Sequence, residues 1–228
     1  MGSAESKAVV EAVRGTALSR LPAPVPILDT RYCLTAPQRT FLVQHKTSGS
    51  EMTVTAHDYT DQKKGARVFR MKYMYIYFDV YGVEDSDYIV RVRPTQRRNF
   101  SVELPLPVKS QQAPTCLYTL KHVLKENEPV VVGVVKDALT GHAYHLGYTG
   151  VWRHGVVIWL ASEKTPEQRT SIAKTYPSGR VGIQVNYCLE VAQGVDVAAL
   201  MTMITVMDMG LFGSSGGLGV SLGVGDGC

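Results

Sequence analysis

The side chains best suited to chemistry are cations set two residues apart. Arg91 and Arg93 alternate with Val90 and Val92, and Arg70 and Lys72 flank Met71, so each pair shares one face of an extended segment. Two cations at i and i+2 on a strand stand roughly 7 Å apart, a spacing that suits a multiply charged anion such as a phosphorylated headgroup. Lys63-Lys64 and Arg97-Arg98 lie close by in sequence. Together Arg91, Arg93, Arg97, Arg98, Lys63, Lys64, Arg70 and Lys72 form a candidate lipid-headgroup site. The same residues also fit a solvated strand face whose charges block edge-to-edge pairing.

Other chemistries find little purchase. The chain has no GxSxG, HExxH, GxxxxGK[ST] or GxGxxG segment. The GSSGGLG run lacks the lysine and the helix that a phosphate loop needs. His142 and His145 are three apart, which places them on opposite faces of a strand. With His154 they hold a metal only if turns realign them, so no metal ligand is assigned. No catalytic residue and no cofactor is assigned either, because Ser, His and Asp are scattered with no adjacency signal. The opening Met1-Gly2-Ser3-Ala4-Glu5-Ser6 fits the M-G-x-x-x-[ST] pattern for acylation of Gly2. One acyl chain binds membranes only marginally and needs a basic patch as a second signal.

The elements that must position these residues follow from composition and pattern. With 228 residues, 45% of them hydrophobic and 19% charged, the chain has the balance of a globular protein rather than of a disordered polyelectrolyte or membrane bundle. Net charge is +4, unevenly spread. All 24 Lys and Arg lie in residues 1–180 beside 16 of the 20 acids, leaving +8 there, while the last 48 residues carry −4. A basic body attracts anionic lipid or nucleic acid electrostatically. Cys33, Cys116, Cys188 and Cys228 are widely spaced with no CxxC, which argues against zinc and thioredoxin sites and for free thiols in a reducing, cytoplasmic compartment.

Residues 1–26 are rich in Ala, Ser and charge and end in Pro-Ala-Pro, predicting a flexible arm with a helical turn or two around 4–18. Residues 213–228 are glycine-rich and predict a flexible tail. Between them, about a dozen short runs rich in Val, Ile, Tyr, Phe and Thr are separated by Ser48-Gly49, Lys64-Gly65, Glu84-Asp85 and Asp137–Gly141, expected as turns. In Tyr88–Arg93, alternation points Tyr88, Val90 and Val92 one way and Ile89, Arg91 and Arg93 the other. Such spacing predicts a barrel or sandwich. Val195–Phe212 is different: apolar on every face, with Thr202, Thr205 and Asp208 as interruptions. A helix of that kind must be buried. Two aspartates in a span of barely bilayer length disfavour a membrane anchor, and the strands are expected to enclose it.

A dozen strands followed by one apolar C-terminal helix resembles the LURP-one-related family, part of the tubby C-terminal-like superfamily that also holds the phospholipid scramblases. The resemblance is carried by Val191-Ala192-Gln193-Gly194-Val195-Asp196-Val197-Ala198 entering the helix with Asp208 near its end, by Lys64-Gly65-Ala66-Arg67-Val68-Phe69-Arg70-Met71-Lys72, and by Asp137-Ala138-Leu139-Thr140-Gly141. It covers about 27–212. It implies a closed antiparallel β-barrel of about twelve strands around a central hydrophobic C-terminal α-helix. Eight apolar helix side chains, four of them Met201, Met203, Met207 and Met209, suit the filling of such a lumen.

The resemblance further implies a non-enzymatic intracellular module, peripheral to membranes, that binds phosphoinositides or another anionic membrane surface through basic strand residues. No motif carries the family's binding positions onto particular residues here. The alternative is a regulatory scaffold for an unknown protein partner, with no lipid binding. A small-ligand carrier, a scramblase-like protein or an enzyme using the barrel interior is disfavoured by a filled lumen. Nucleic acid is disfavoured by the lack of the aromatic-plus-basic strand signature of RNA-binding sheets.

Overall fold

The computed structural model describes residues 4–48, 51–74, 77–84, 86–95, 98–105, 113–123, 125, 128–152, 154–181 and 184–212. Helix α1 (Ala4–Gly15) and a 3-10 turn at Thr30–Tyr32 precede twelve strands: β1 (Gln38–Ser48), β2 (Glu51–Thr60), β3 (Lys63–Met74), β4 (Tyr77–Tyr81), β5 (Tyr88–Pro94), β6 (Asn99–Glu103), β7 (Cys116–Lys121), β8 (Val130–Lys136), β9 (Ala143–Val151), β10 (Gly155–Ser162), β11 (Arg169–Val181) and β12 (Gln184–Ala192). Helix α2 (Val197–Phe212) ends the fold. Each strand pairs antiparallel with the next, and β1 pairs with β12, closing the barrel. The fold class expected from the sequence is the one observed. The glycine-rich tail 213–228 and Gly2 lie outside the described residues.

Alternation builds the wall. Phe41 and Val43, Phe69 and Met71, Phe78 and Val80, Val90 and Val92, and Leu189 and Val191 point inward and are buried. They meet α2, whose residues 197–208 are all buried, so the helix occupies the lumen from wall to wall. Its threonine hydroxyls are satisfied locally or across the lumen. Thr202 and Thr205 donate to the Ala199 and Met201 carbonyls, and Tyr118 of β7 bonds the Thr202 hydroxyl at 2.8 Å.

Asp196 fixes where the helix begins. Its Oδ1 accepts from Ala199 N at 3.0 Å, an N-cap. Its Oδ2 accepts from the consecutive N–H groups of Ile27, Leu28 and Asp29 at 3.0, 2.7 and 3.3 Å. Burial pushes this carboxyl up despite the four donors. Gly194, at φ 87°, turns the chain from β12 toward the helix, a conformation that favours glycine. Residues 25–34 therefore lie across the barrel end where α2 starts, with bridges Val25–Val195 and Cys33–Asp196.

Two local expectations change. The β2–β3 turn falls on Asp61 and Gln62, at φ 51° and 59°, so Lys63 and Lys64 open strand β3 and do not form the turn themselves. A register shift between Val80 and Tyr81 turns Tyr88 to the outer face, where it stacks on Tyr81 at 5.3 Å, and Ile89 is buried in the core instead.

Residues 4–26, expected as a flexible arm, instead pack along the wall. Val13, Leu21 and Val25 are buried, and Ser19 N and Leu21 N donate to the Ser171 and Gln193 carbonyls. Lys174, only 6% exposed, explains the grip. Its ammonium donates to the Arg14 and Thr16 carbonyls at 2.5 and 3.0 Å, where the end of α1 leaves carbonyls unsatisfied, and pairs with Glu190 at 3.2 Å.

Candidate functional site

Strict antiparallel order sorts the connections. Those after even-numbered strands lie at one end of the barrel, here the upper end, with the start of α2. Those after odd-numbered strands lie at the lower end, with Asp208. Sorted this way, the basic residues separate. Lys63 and Lys64 begin β3 at the upper end, where Lys64 donates to Gln44. Arg98 sits in the β5–β6 turn at the lower end, exposed and at φ 62°. Arg97 lies outside the described residues. The candidate headgroup site is thus spread over both ends and is not brought together at one place.

Arg91 and Arg93 do share the outer face of β5, yet each faces a buried carboxylate. Arg91 grips Asp79 with Nε at 2.8 Å and Nη2 at 3.2 Å, Tyr88 donates to the same carboxylate at 2.6 Å, and the Tyr77 ring lies 3.8 Å from the guanidinium. Asp79 is 4% exposed. The Asp79 carboxylate holds Arg91 charged, and burial together with that carboxylate pushes the Tyr88 phenol up. Arg93 Nε stands 3.4 Å from Glu103, itself buried and bonded to Ser101. Removing Arg91 would strand the Asp79 charge, which identifies it as a structural arginine. Arg70 lies 5.2 Å over the Tyr81 ring on the same face.

The lower end collects cations that the sequence scatters. Lys46, two residues before the end of β1, faces Thr53, which faces Lys72 near the end of β3. Arg98 and Lys121 follow along the same arc, with Asn99 opposite Lys121. Lys46, Arg98 and Lys121 are exposed. Lys125, just beyond, pairs with Glu128 at 3.3 Å.

Beneath this basic end sits a buried polar cluster around Asp208. Trp152 Nε1 donates to it at 2.9 Å, His45 Nε2 stands at 3.1 Å and the Tyr187 hydroxyl at 3.5 Å. A carboxylate near a helix C-terminus is opposed by the helix dipole, so these groups offset an unfavourable placement. Sequence reading found Asp208 but not its partners, which come from β1, the β9–β10 turn and β12. Among the described residues, no three His, Cys, Asp or Glu side chains converge in a way that could hold a metal.

His122, 5% exposed, lies at the same end and bonds the Met207 carbonyl. Burial, with the Arg98 charge, lowers its pKa below the ordinary 6.5. The folded state then prefers the neutral ring, and its contribution to stability is lost as pH falls below 6.5 toward the lowered value. Thermal melts should show wild type losing more stability than His122→Gln between pH 7 and pH 5. Equal losses would show that His122 does not titrate with folding.

Among the described residues, clefts open at the upper end. One, of about 320 Å³, lies between Tyr32, Phe41 and Phe69, with Arg31 and Arg39 on its rim; these pair with Asp29 and Asp58. Another, of about 530 Å³, lies between residues 21–25, the Asp137–His142 turn and the end of β10. There His142 Nε2 meets Ser162 Oγ at 2.9 Å, a pairing across strands that sequence spacing gave no sign of.

No family model matches the chain, and a search of curated proteins returns no significant match. The described helices include none long and apolar enough to cross a membrane.

Proposed function

We propose that this barrel docks on an anionic lipid surface through its lower end. The observation that carries the reading is that exposed Lys46, Arg98 and Lys121 lie around half of that rim, with half-buried Lys72, opposite Asp79, between them. Cations near an anionic surface contribute about 1 kcal/mol each, so such an arc suffices for reversible docking. The resemblance to the LURP-one-related family supports the reading, because it implies a barrel around an enclosed helix and a relative that binds phosphoinositides. Arg91 and Arg93 serve the wall in this proposal, and Lys63 and Lys64 face away from the membrane.

Sedimentation with phosphatidylcholine vesicles, with and without phosphoinositide, tests this. Wild type should bind only the anionic vesicles and release between low and high salt, since exposed charges are screened over about 8–10 Å at physiological ionic strength. Lys46→Gln/Lys121→Gln should bind about thirtyfold more weakly with an unchanged melting temperature. Absence of wild-type sedimentation at low salt would end the proposal.

A second reading, a scaffold for a protein partner, is favoured by a different observation. Val83, Leu104 and Leu139 are 56, 44 and 71% exposed on three successive upper-end connections, with Val134 exposed in the later half of β8. The two readings use opposite ends of the barrel, so binding of a partner with the vesicle result negative would select the scaffold.

A further inference from the structure

We propose that Ser162, with His142 as its base, is a reactive serine that accepts acyl groups from uncharged, activated esters. The backbone N–H of Lys164 donates to Ser162 Oγ at 3.2 Å. The hydroxyl keeps its proton free while it accepts from Lys164, and it can donate that proton to its other neighbour, His142 Nε2, at 2.9 Å. In the tautomer with its proton on Nδ1, Nε2 is the acceptor for that hydroxyl. A hydroxyl donating to a neutral imidazole is the resting arrangement of a serine nucleophile and its general base.

The surroundings define the substrate class. The cleft of about 530 Å³ is lined by hydroxyls, the Gln168 amide and the Tyr144 phenol, and by an apolar wall from Leu21 to Val25. Neither Lys nor Arg lines it, so nothing there recruits a phosphate or a carboxylate. Its one carboxylate, Asp137, accepts from the Leu139 and Thr140 N–H groups through Oδ1, and the His142 ring packs edge-on against Tyr144 at 4.6 Å. The pair is therefore a dyad, suited to good leaving groups. Gln168 and Tyr144 are among the uncharged donors of the lining that an oxyanion could draw on.

The chemistry balances without a cofactor. Ser162 Oγ bonds to the ester carbonyl carbon while its proton passes to His142 Nε2. The bond from that carbon to the alkoxy oxygen breaks, and the leaving alkoxide takes the proton from Nε2 as an alcohol. Water, deprotonated by the same nitrogen, then releases the acyl group as a carboxylic acid and restores the hydroxyl. The cleft is at the upper end, so the step is independent of docking at the lower one.

The test uses the full chain and an alkyl fluorophosphonate probe. Peptide mass analysis should find one adduct, on Ser162, absent from Ser162→Ala. His142→Gln keeps a hydrogen-bonding side chain and should label about a hundredfold more slowly, the low end of what a general base supplies. An acetate ester of p-nitrophenol should give a burst of one equivalent that both variants lose. Both side chains border solvent, and melting temperatures within a few degrees of wild type would confirm intact folds. No adduct on wild type, an adduct elsewhere, or labelling of His142→Gln at the wild-type rate would each overturn the proposal.

Discussion

Met203→Asp should yield no folded protein. Met203 is fully buried, midway along a helix that meets the barrel wall on every side. An unpaired charge there costs several kcal/mol against a total stability of roughly 5–15 kcal/mol. The neighbouring helix side chains are apolar or already bonded, so no partner can rescue it. Met203→Leu, which keeps the volume, should cost less than about 1.5 kcal/mol. Soluble fraction, far-ultraviolet circular dichroism and melting temperature check the pair. A soluble aspartate variant with the wild-type melting temperature would show that α2 is not the core.

Asp196→Ala should be nearly as damaging, for the opposite reason. It adds nothing to the interior and removes the acceptor for four N–H groups, those of Ile27, Leu28, Asp29 and Ala199. A buried donor left unmade costs about 1–3 kcal/mol, and loss of the N-cap lies within the same sum. A drop of about 10 °C or more in melting temperature is expected for a domain of this size. Hydrogen exchange should quicken first at residues 27–29. A loss below about 1 kcal/mol would mean that the segment over the upper end is held by its apolar contacts alone.

The barrel was legible in the sequence because alternation and all-round apolarity are local patterns. Val90 and Val92 against Arg91 and Arg93 announce a wall with one wet face. The stretch from Val197 to Met207 announces a helix with no wet face. What the sequence hid depends on register. The partner of Arg91 is twelve residues back, on β4, and becomes visible only when Asp79 is known to stand opposite. The bulge between Val80 and Tyr81 redirects Tyr88, and no composition rule places such a bulge. The cations of the lower end are far apart in sequence and are joined only by the parity of the strands that carry them. The dyad of His142 and Ser162 likewise needs the pairing of β9 with β10. The arm was misread because its small and charged residues conceal one decisive contact, the buried ammonium of Lys174 on β11.

The order of the elements has a consequence for biosynthesis. The helix that fills the lumen is made after all twelve strands, and the strand that closes the ring on β1 is made just before it. At about 5–20 residues per second, the first half of the wall leaves the ribosome roughly 5 seconds or more before its filling exists. During that interval the inward-facing Phe, Val and Met side chains have nothing to cover them. Until α2 emerges, those side chains are open to mispairing and to chaperones. A truncation ahead of Val197 would leave a polypeptide permanently at that stage, a client for degradation rather than a smaller working barrel.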